Sequence, residues 1–109
     1  MSAAPWAGGC LCGAVRYAAS GAPAMQYNCH CRDCQRMSGA AYLPIAGFPQ
    51  AAVAIAGEVH WYARTADSGR PASEGFCPAC GARLFGQGAG VPGLMLVMAG
   101  TLDEPARFA

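Results

Sequence analysis

Seven cysteines fall in three clusters along 109 residues: Cys10 and Cys12 in GGCLCG, Cys29, Cys31 and Cys34 in NCHCRDC, and Cys77 and Cys80 in CPACG. Thiols at such short spacings either pair as disulfides or ligate metal. An odd count leaves one thiol over in any full set of disulfides, and the opening MSAAPWAGG lacks the basic stretch and apolar run of a secretory signal. Reduced, metal-binding thiols in the cytoplasm are therefore expected over a secreted disulfide framework. Seven ligands divide into four and three. CPACG has the spacing of a zinc knuckle, a tight turn that brings two thiolates onto one ion while the following glycine lets backbone N–H groups approach sulfur. A second close pair completes such a site, and Cys10 and Cys12, between Gly9 and Gly13, supply one. Two alternatives stay open at this level: a redox dithiol at Cys77 and Cys80, disfavoured because no βαβ pattern surrounds it, and completion of the knuckle by two cysteines of the middle cluster.

The middle cluster has one thiol too many for a disulfide and one too few for a closed zinc site. Three thiolates hold zinc and leave its fourth position open, which is where chemistry takes place. They also leave the site net negative, so the ion is a softer Lewis acid than one held by neutral imidazoles and suits an exchangeable thiol. His30 lies between two ligands, where alternation turns its side chain away from theirs, and hydrogen bonding to neighbours or substrate is expected of it rather than ligation. A site closed by His30, or a thiol cluster with no resident metal, are the alternatives.

The elements that position these residues are short. The hydrophobic share of 54% includes 24 alanines, which bury little area, and 15 further positions are glycine, so a chain of this size gains from metal staples. Turn residues recur throughout, few windows carry the spacing of a long helix, and the fold class is mainly β in one domain over residues 1–109. Strands are predicted over residues 14–18, 25–29, 41–46, 53–55, 59–62, 83–85 and 94–99, and a single short helical turn over residues 33–37, ended by Ser38-Gly39. Residues 65–73, polar and holding Gly69 and Pro71, read as an exposed loop. The uncharged span from Met37 to Gly57 contains Pro44, Gly47, Pro49 and Gln50, so it reads as strand, turn and strand rather than a membrane helix. Trp61, Tyr62, Phe76 and Phe85 are expected in the core, with Met95 and Met98 as core filler and His60 as a plain strand residue. All the basic residues are arginine, the formal charge is +1 and no run of like charges occurs, which disfavours a nucleic-acid surface built on a basic stripe.

Taken in order, GGCLCGAVRY, CHCRDCQRMSGA, GFCPACGARLF and AGTLDEP resemble the glutathione-dependent formaldehyde-activating enzyme family, to which the centromere protein V domain is also similar. The resemblance runs from Gly8 to about Pro105. It implies a zinc-stapled β-tent of antiparallel sheets, a structural zinc on Cys10, Cys12, Cys77 and Cys80, and a catalytic zinc on Cys29, Cys31 and Cys34. The activity implied is a carbon–sulfur lyase reaction, addition of the glutathione thiol to formaldehyde to give S-(hydroxymethyl)glutathione, or its reverse. In that reading His30 or Ser38 steadies the developing alkoxide, although a helix-end hydrogen bond is the simpler role for Ser38. Arg32 and Arg36 meet the substrate carboxylates, although exposed arginines on a short turn are usually only solvated. The partners are a small thiol such as glutathione and a small aldehyde, with no nucleic acid and no membrane. Family members commonly run on past the GTLD-type motif, whereas this sequence stops at Ala109, which bears on how the substrate site is covered. A non-enzymatic zinc-stapled interaction domain and a thiol-based binder of electrophiles or metal are the competing functions.

Overall fold

Pro, Gly, Ser and Asn cut the chain into strands of four to seven residues that pair antiparallel with their neighbours. The computed structural model describes residues 4–109. Strands β1 (Trp6–Gly9), β2 (Arg16–Ala19) and β5 (Val53–Ala56) form one sheet, in the order β1-β2-β5. Strands β3 (Met25–Cys29), β4 (Leu43–Pro49), β6 (His60–Thr65), β7 (Pro71–Phe76), β8 (Arg83–Gly88) and β9 (Leu94–Met98) form a second, in the order β3-β4-β9-β8-β7-β6. The helix α1 (Arg32–Ser38) follows β3 and is one residue longer at each end than predicted. Gly39, with φ +69°, ends it in the left-handed conformation, its N–H bonded to the Gln35 carbonyl.

The middle of the six-stranded sheet is buried on both faces, because successive side chains of a strand point to opposite sides. Ala46 and Phe48 of β4, Met95 and Val97 of β9 and Phe85 of β8 pack against Trp6, Tyr17 and Ala19 of the small sheet and Val15 just before β2. Ile45 and Met98 lie in a second cluster with Leu43 and Cys34, so α1 covers the other face. Trp6 meets Phe48 edge-on with ring centroids 5.5 Å apart, and Tyr17 meets Phe85 at 5.3 Å. Tyr17 is buried with its hydroxyl 2.7 Å from Thr101 Oγ1. The AGTLDEP segment thus closes the small sheet: Leu102 is buried and bridges Gly8, and Asp103 accepts from Arg16 at 3.0 Å.

Gly8 sits where that closure is tightest. A Cβ there would overlap the Thr101 carbonyl oxygen and the Tyr17 hydroxyl, one of them backbone. Gly8→Ala is accordingly expected to destabilise the protein by about 1–3 kcal/mol through overpacking. Urea unfolding that finds the variant as stable as the parent would show that the two segments separate freely.

Several expectations are corrected. β1 and β7 were not predicted as strands, and residues 71–73, read as loop, open β7. PASEGF has no alternating apolar pattern, and it is extended because β6 and β8 supply hydrogen-bond partners on both sides. Trp61 and Tyr62, expected in the core, are 42% and 60% exposed, because β6 is an edge strand that the small sheet does not cover. Phe85 is fully buried and Phe76 half-buried, Met95 and Met98 lie in the core, and His60 is an exposed residue of β6. Residues 37–57 form the end of α1, strand β4, a 3-10 turn and strand β5. Among the described residues no helix is long and apolar enough to cross a membrane.

Candidate metal centres

The loop from β1 to β2 and the loop from β7 to β8 are built alike. In the first, the Cys10 N–H bonds the Val15 carbonyl at 3.0 Å and the Val15 N–H returns to Cys10 Sγ at 3.2 Å. In the second, the Cys77 N–H bonds the Ala82 carbonyl at 3.0 Å and the Ala79 N–H reaches Cys77 Sγ at 3.4 Å. Gly13 and Gly81, at φ +84° and +78°, supply the left-handed residue each turn needs. The two turns face one another, and the sulfurs of Cys10, Cys12, Cys77 and Cys80 all lie within 4.8 Å of each other. Cys10 and Cys12 sulfurs are 3.7 Å apart and Cys12 and Cys77 sulfurs 3.8 Å apart. Four sulfurs at the zinc–thiolate bond length of about 2.3 Å have tetrahedron edges of about 3.8 Å, so this set fits zinc.

The middle cluster straddles the junction of β3 and α1. Cys29 ends β3, Cys31 is the N-cap of α1, with its sulfur accepting the Cys34 N–H at 3.3 Å, and Cys34 is buried under the helix. Their three sulfurs also lie within 4.8 Å of one another, Cys29 and Cys31 at 3.4 Å, and no histidine or carboxylate joins them among the described residues. Cys31 is exposed and Cys29 half-buried, so the set opens to solvent on the side of the N-cap. The structure therefore brings the seven cysteines together as four and three, and all of them are free thiols. The other pairing, Cys77 and Cys80 with the middle cluster, does not occur.

Crowding gives each set a strong demand for positive charge. Burial acts against the Cys10 thiolate, but the Val15 N–H and the thiols of Cys12, Cys77 and Cys80 outweigh it and bring its pKa to about 6. The N–H groups of Ala82 and Cys12 lower that of Cys80. Cys12 gains from the Ala14 N–H, yet its sulfur neighbours and burial push it to about 11. In the middle set burial is again outweighed at Cys31, by the Cys34 N–H and the flanking thiols, so its pKa falls, whereas burial and then Cys29 and Cys31 push Cys34 up. In each cluster some thiols ionise more readily than a free cysteine while a neighbour, Cys12 in one and Cys34 in the other, resists ionisation, the situation a divalent cation relieves.

The other predicted site residues are spread around α1. His30 is exposed, its ring tilted against Tyr42 at a centroid distance of 5.1 Å. The Ser38 hydroxyl sits at the far end of the helix, 3.5 Å from the Gln35 carbonyl and accepting the Ala40 N–H at 3.1 Å. Arg32 donates to Gln35 Oε1 at 2.8 Å, while Arg36 lines a cleft of about 230 Å³ with Asp33, Tyr62, Arg64 and Arg83. Arg64, Glu74 and Arg83 are not singled out as site residues by the sequence; Arg83 lies within GFCPACGARLF, but no motif marks Arg64 or Glu74, and Asp33 and Arg64 meet across 31 positions of chain.

The protein is thus a small antiparallel β domain whose four-thiol and three-thiol clusters could each hold a metal ion. The family model for glutathione-dependent formaldehyde-activating enzyme matches residues 5–109, and the chain belongs to that family. A crystal structure of a Rhodobacter sphaeroides protein is similar to it in fold, with a TM-score of 0.71 at 22% identity, covering 89% of this chain and 87% of that one. None of the curated proteins compared with the chain matches it.

Proposed function

We propose that the protein is a zinc-dependent carbon–sulfur lyase that joins a thiol, glutathione or a similar one, to formaldehyde or another small aldehyde in the cytoplasm, and that also runs the reverse reaction. The observation that carries this reading is the three-sulfur set at the β3–α1 junction, open to solvent at Cys31 while the four-sulfur set is complete. Family membership supports the same reaction class. Cys10, Cys12, Cys77 and Cys80 would hold a structural zinc, and Cys29, Cys31 and Cys34 a second. When bound, that second ion supplies a vacant position that favours the thiolate form of an incoming thiol.

In the addition, sulfur forms a bond to the carbonyl carbon, the C=O π pair moves onto oxygen, and the proton lost by the thiol ends on that oxygen. The chain's part is to hold thiol and aldehyde together, converting an encounter of two solutes into a reaction within one site. His30, exposed beside Cys29 and Cys31, is the donor we assign to the developing alkoxide. Ser38, the other candidate, is already engaged at the helix end. Arg36, with no partner among the described residues, is suited to a substrate carboxylate. Arg32, held by Gln35, is the second candidate for that role.

Exchange between glutathione, formaldehyde and their adduct, followed by NMR against the spontaneous background, tests the reading. The expected result is faster exchange with the zinc-loaded protein. A thiol-induced change in a cobalt-substituted site without faster exchange would favour a thiol-binding protein, and no response to any thiol a zinc-stapled interaction domain.

A further inference from the structure

Helix α1 has a mechanical problem. Seven residues cannot sustain a helix alone, and α1, unlike the strands, has no ladder of backbone bonds to its neighbours. Its main apolar anchor is Cys34, packed with Leu43, Ile45 and Met98, yet Cys34 is also one of the three thiols whose position matters. Something other than the ligand must hold the helix in register.

The sheet supplies it from β6, β7 and β8. Glu74 is buried in β7, and both arginines that reach it also reach α1. Arg64 Nε donates to Glu74 Oε2 at 3.0 Å while its Nη1 donates to Asp33 Oδ2 at 2.8 Å. Arg83 Nη2 lies 3.8 Å from Glu74 Oε1 and 2.9 Å from Met37 Sδ. Asp33 and Met37 are four residues apart, one turn of one helix face, so the arginines grip α1 on the same side at two heights. Gly86 makes room for the carboxylate, since a Cβ there would come within 3.3 Å of Glu74 Oε1. The network is not needed to join β6 to β7, which already share an unbroken register from His60↔Phe76 to Thr65↔Pro71. Nor is a buried ion pair an economical source of stability compared with apolar packing. Its distinctive consequence falls on α1, which carries Cys34 and is capped by Cys31.

We propose that Arg64, anchored by Glu74 and gripping Asp33, is the positioning residue of the three-cysteine centre. It acts through the helix and does not ligate. The inference rests on that centre holding a metal, though not on the reaction assigned to it.

The test is metal release from the zinc- and cobalt-loaded full chain to a chelator in excess. Wild type is expected to release two ions in two phases. Arg64→Ala should speed the three-cysteine phase by about 10-fold, the lower end of the roughly 10- to 100-fold loss of affinity that follows removal of a group bonded directly to a metal ligand, and leave the four-cysteine phase in place. The visible bands of cobalt at the faster site should change with it. Arg64→Lys, which keeps the charge but not the planar fork, should restore the rate only in part. Because Arg64→Ala strands a buried carboxylate and can fail to fold, Asp33→Asn at the half-exposed end of the network is the second variant, expected to shift the same phase by several-fold. Unchanged release and spectra in Asp33→Asn, or equal loosening of both sites, overturn the proposal while leaving the function above intact. A wild type that holds one metal ion per chain overturns both.

Discussion

Cys77→Ser or Cys80→Ser is expected to leave the protein largely unfolded or insoluble and without its structural zinc. Cys77 is fully buried and shares the main core with Cys10, Val15 and Leu84, so the four-sulfur set is part of the seam where the small sheet meets the large one. Its two turns come from segments 65 residues apart, Cys12 and Cys77, and a metal held by both would link them with bonds of covalent strength. Structural zinc in small peptides contributes about 10–16 kcal/mol of apparent binding free energy. The entire stability of an ordinary domain is about 5–15 kcal/mol. Losing a ligand therefore removes an amount comparable with the whole, and the serine also places a hydroxyl in an apolar seam. Metal analysis, circular dichroism and thermal unfolding of parent and variants decide the matter. A folded, zinc-free parent with Cys10 joined to Cys12, or Cys77 to Cys80, as disulfides would remove the structural-zinc claim.

The two clusters were legible in the sequence because metal ligation uses rare residues at fixed local spacings, and CPACG and CHCRDC announce their turns. The same locality made β3 readable to the residue and α1 to within one at each end, since Ser38-Gly39 marks a stop in any context. What escaped was set by partners distant in the chain. PASEGF is a strand through pairing on both sides, and WAGG through pairing with β2 and the return of Leu102 beside Gly8. Trp61 and Tyr62 carry a core-like composition, but exposure depends on strand order, and β6 lies at an edge. The Arg64–Glu74–Asp33 network likewise has no local signature: Glu74 looks like one more surface carboxylate until Gly86 opens a space for it. That space is where burial pushes the Glu74 carboxyl up while Arg64 and Arg83 pull it back toward the charged form.

Cys31→Ala should separate the two centres. Cys31 is exposed at the N-cap of α1, where its sulfur accepts the Cys34 N–H and no core residue rests on it. Replacing it removes a cap, at a cost of about 1 kcal/mol, far below the cost of breaking the closed site. The far-UV spectrum and thermal transition are therefore expected to stay close to those of the parent. Bound zinc should fall from two to one per chain, because two thiols and an open solvent side hold the ion poorly. Any acceleration of exchange between glutathione, formaldehyde and their adduct should fall to the spontaneous rate, compared at equal protein concentration. The direction of each readout matters, since under the proposed four-plus-three division stability and catalysis respond to different cysteines. If Cys31→Ala collapses the fold as fully as Cys77→Ser, the middle cluster is a second staple. If instead the variant keeps both zinc ions and all of the rate, the chemistry lies away from the β3–α1 junction.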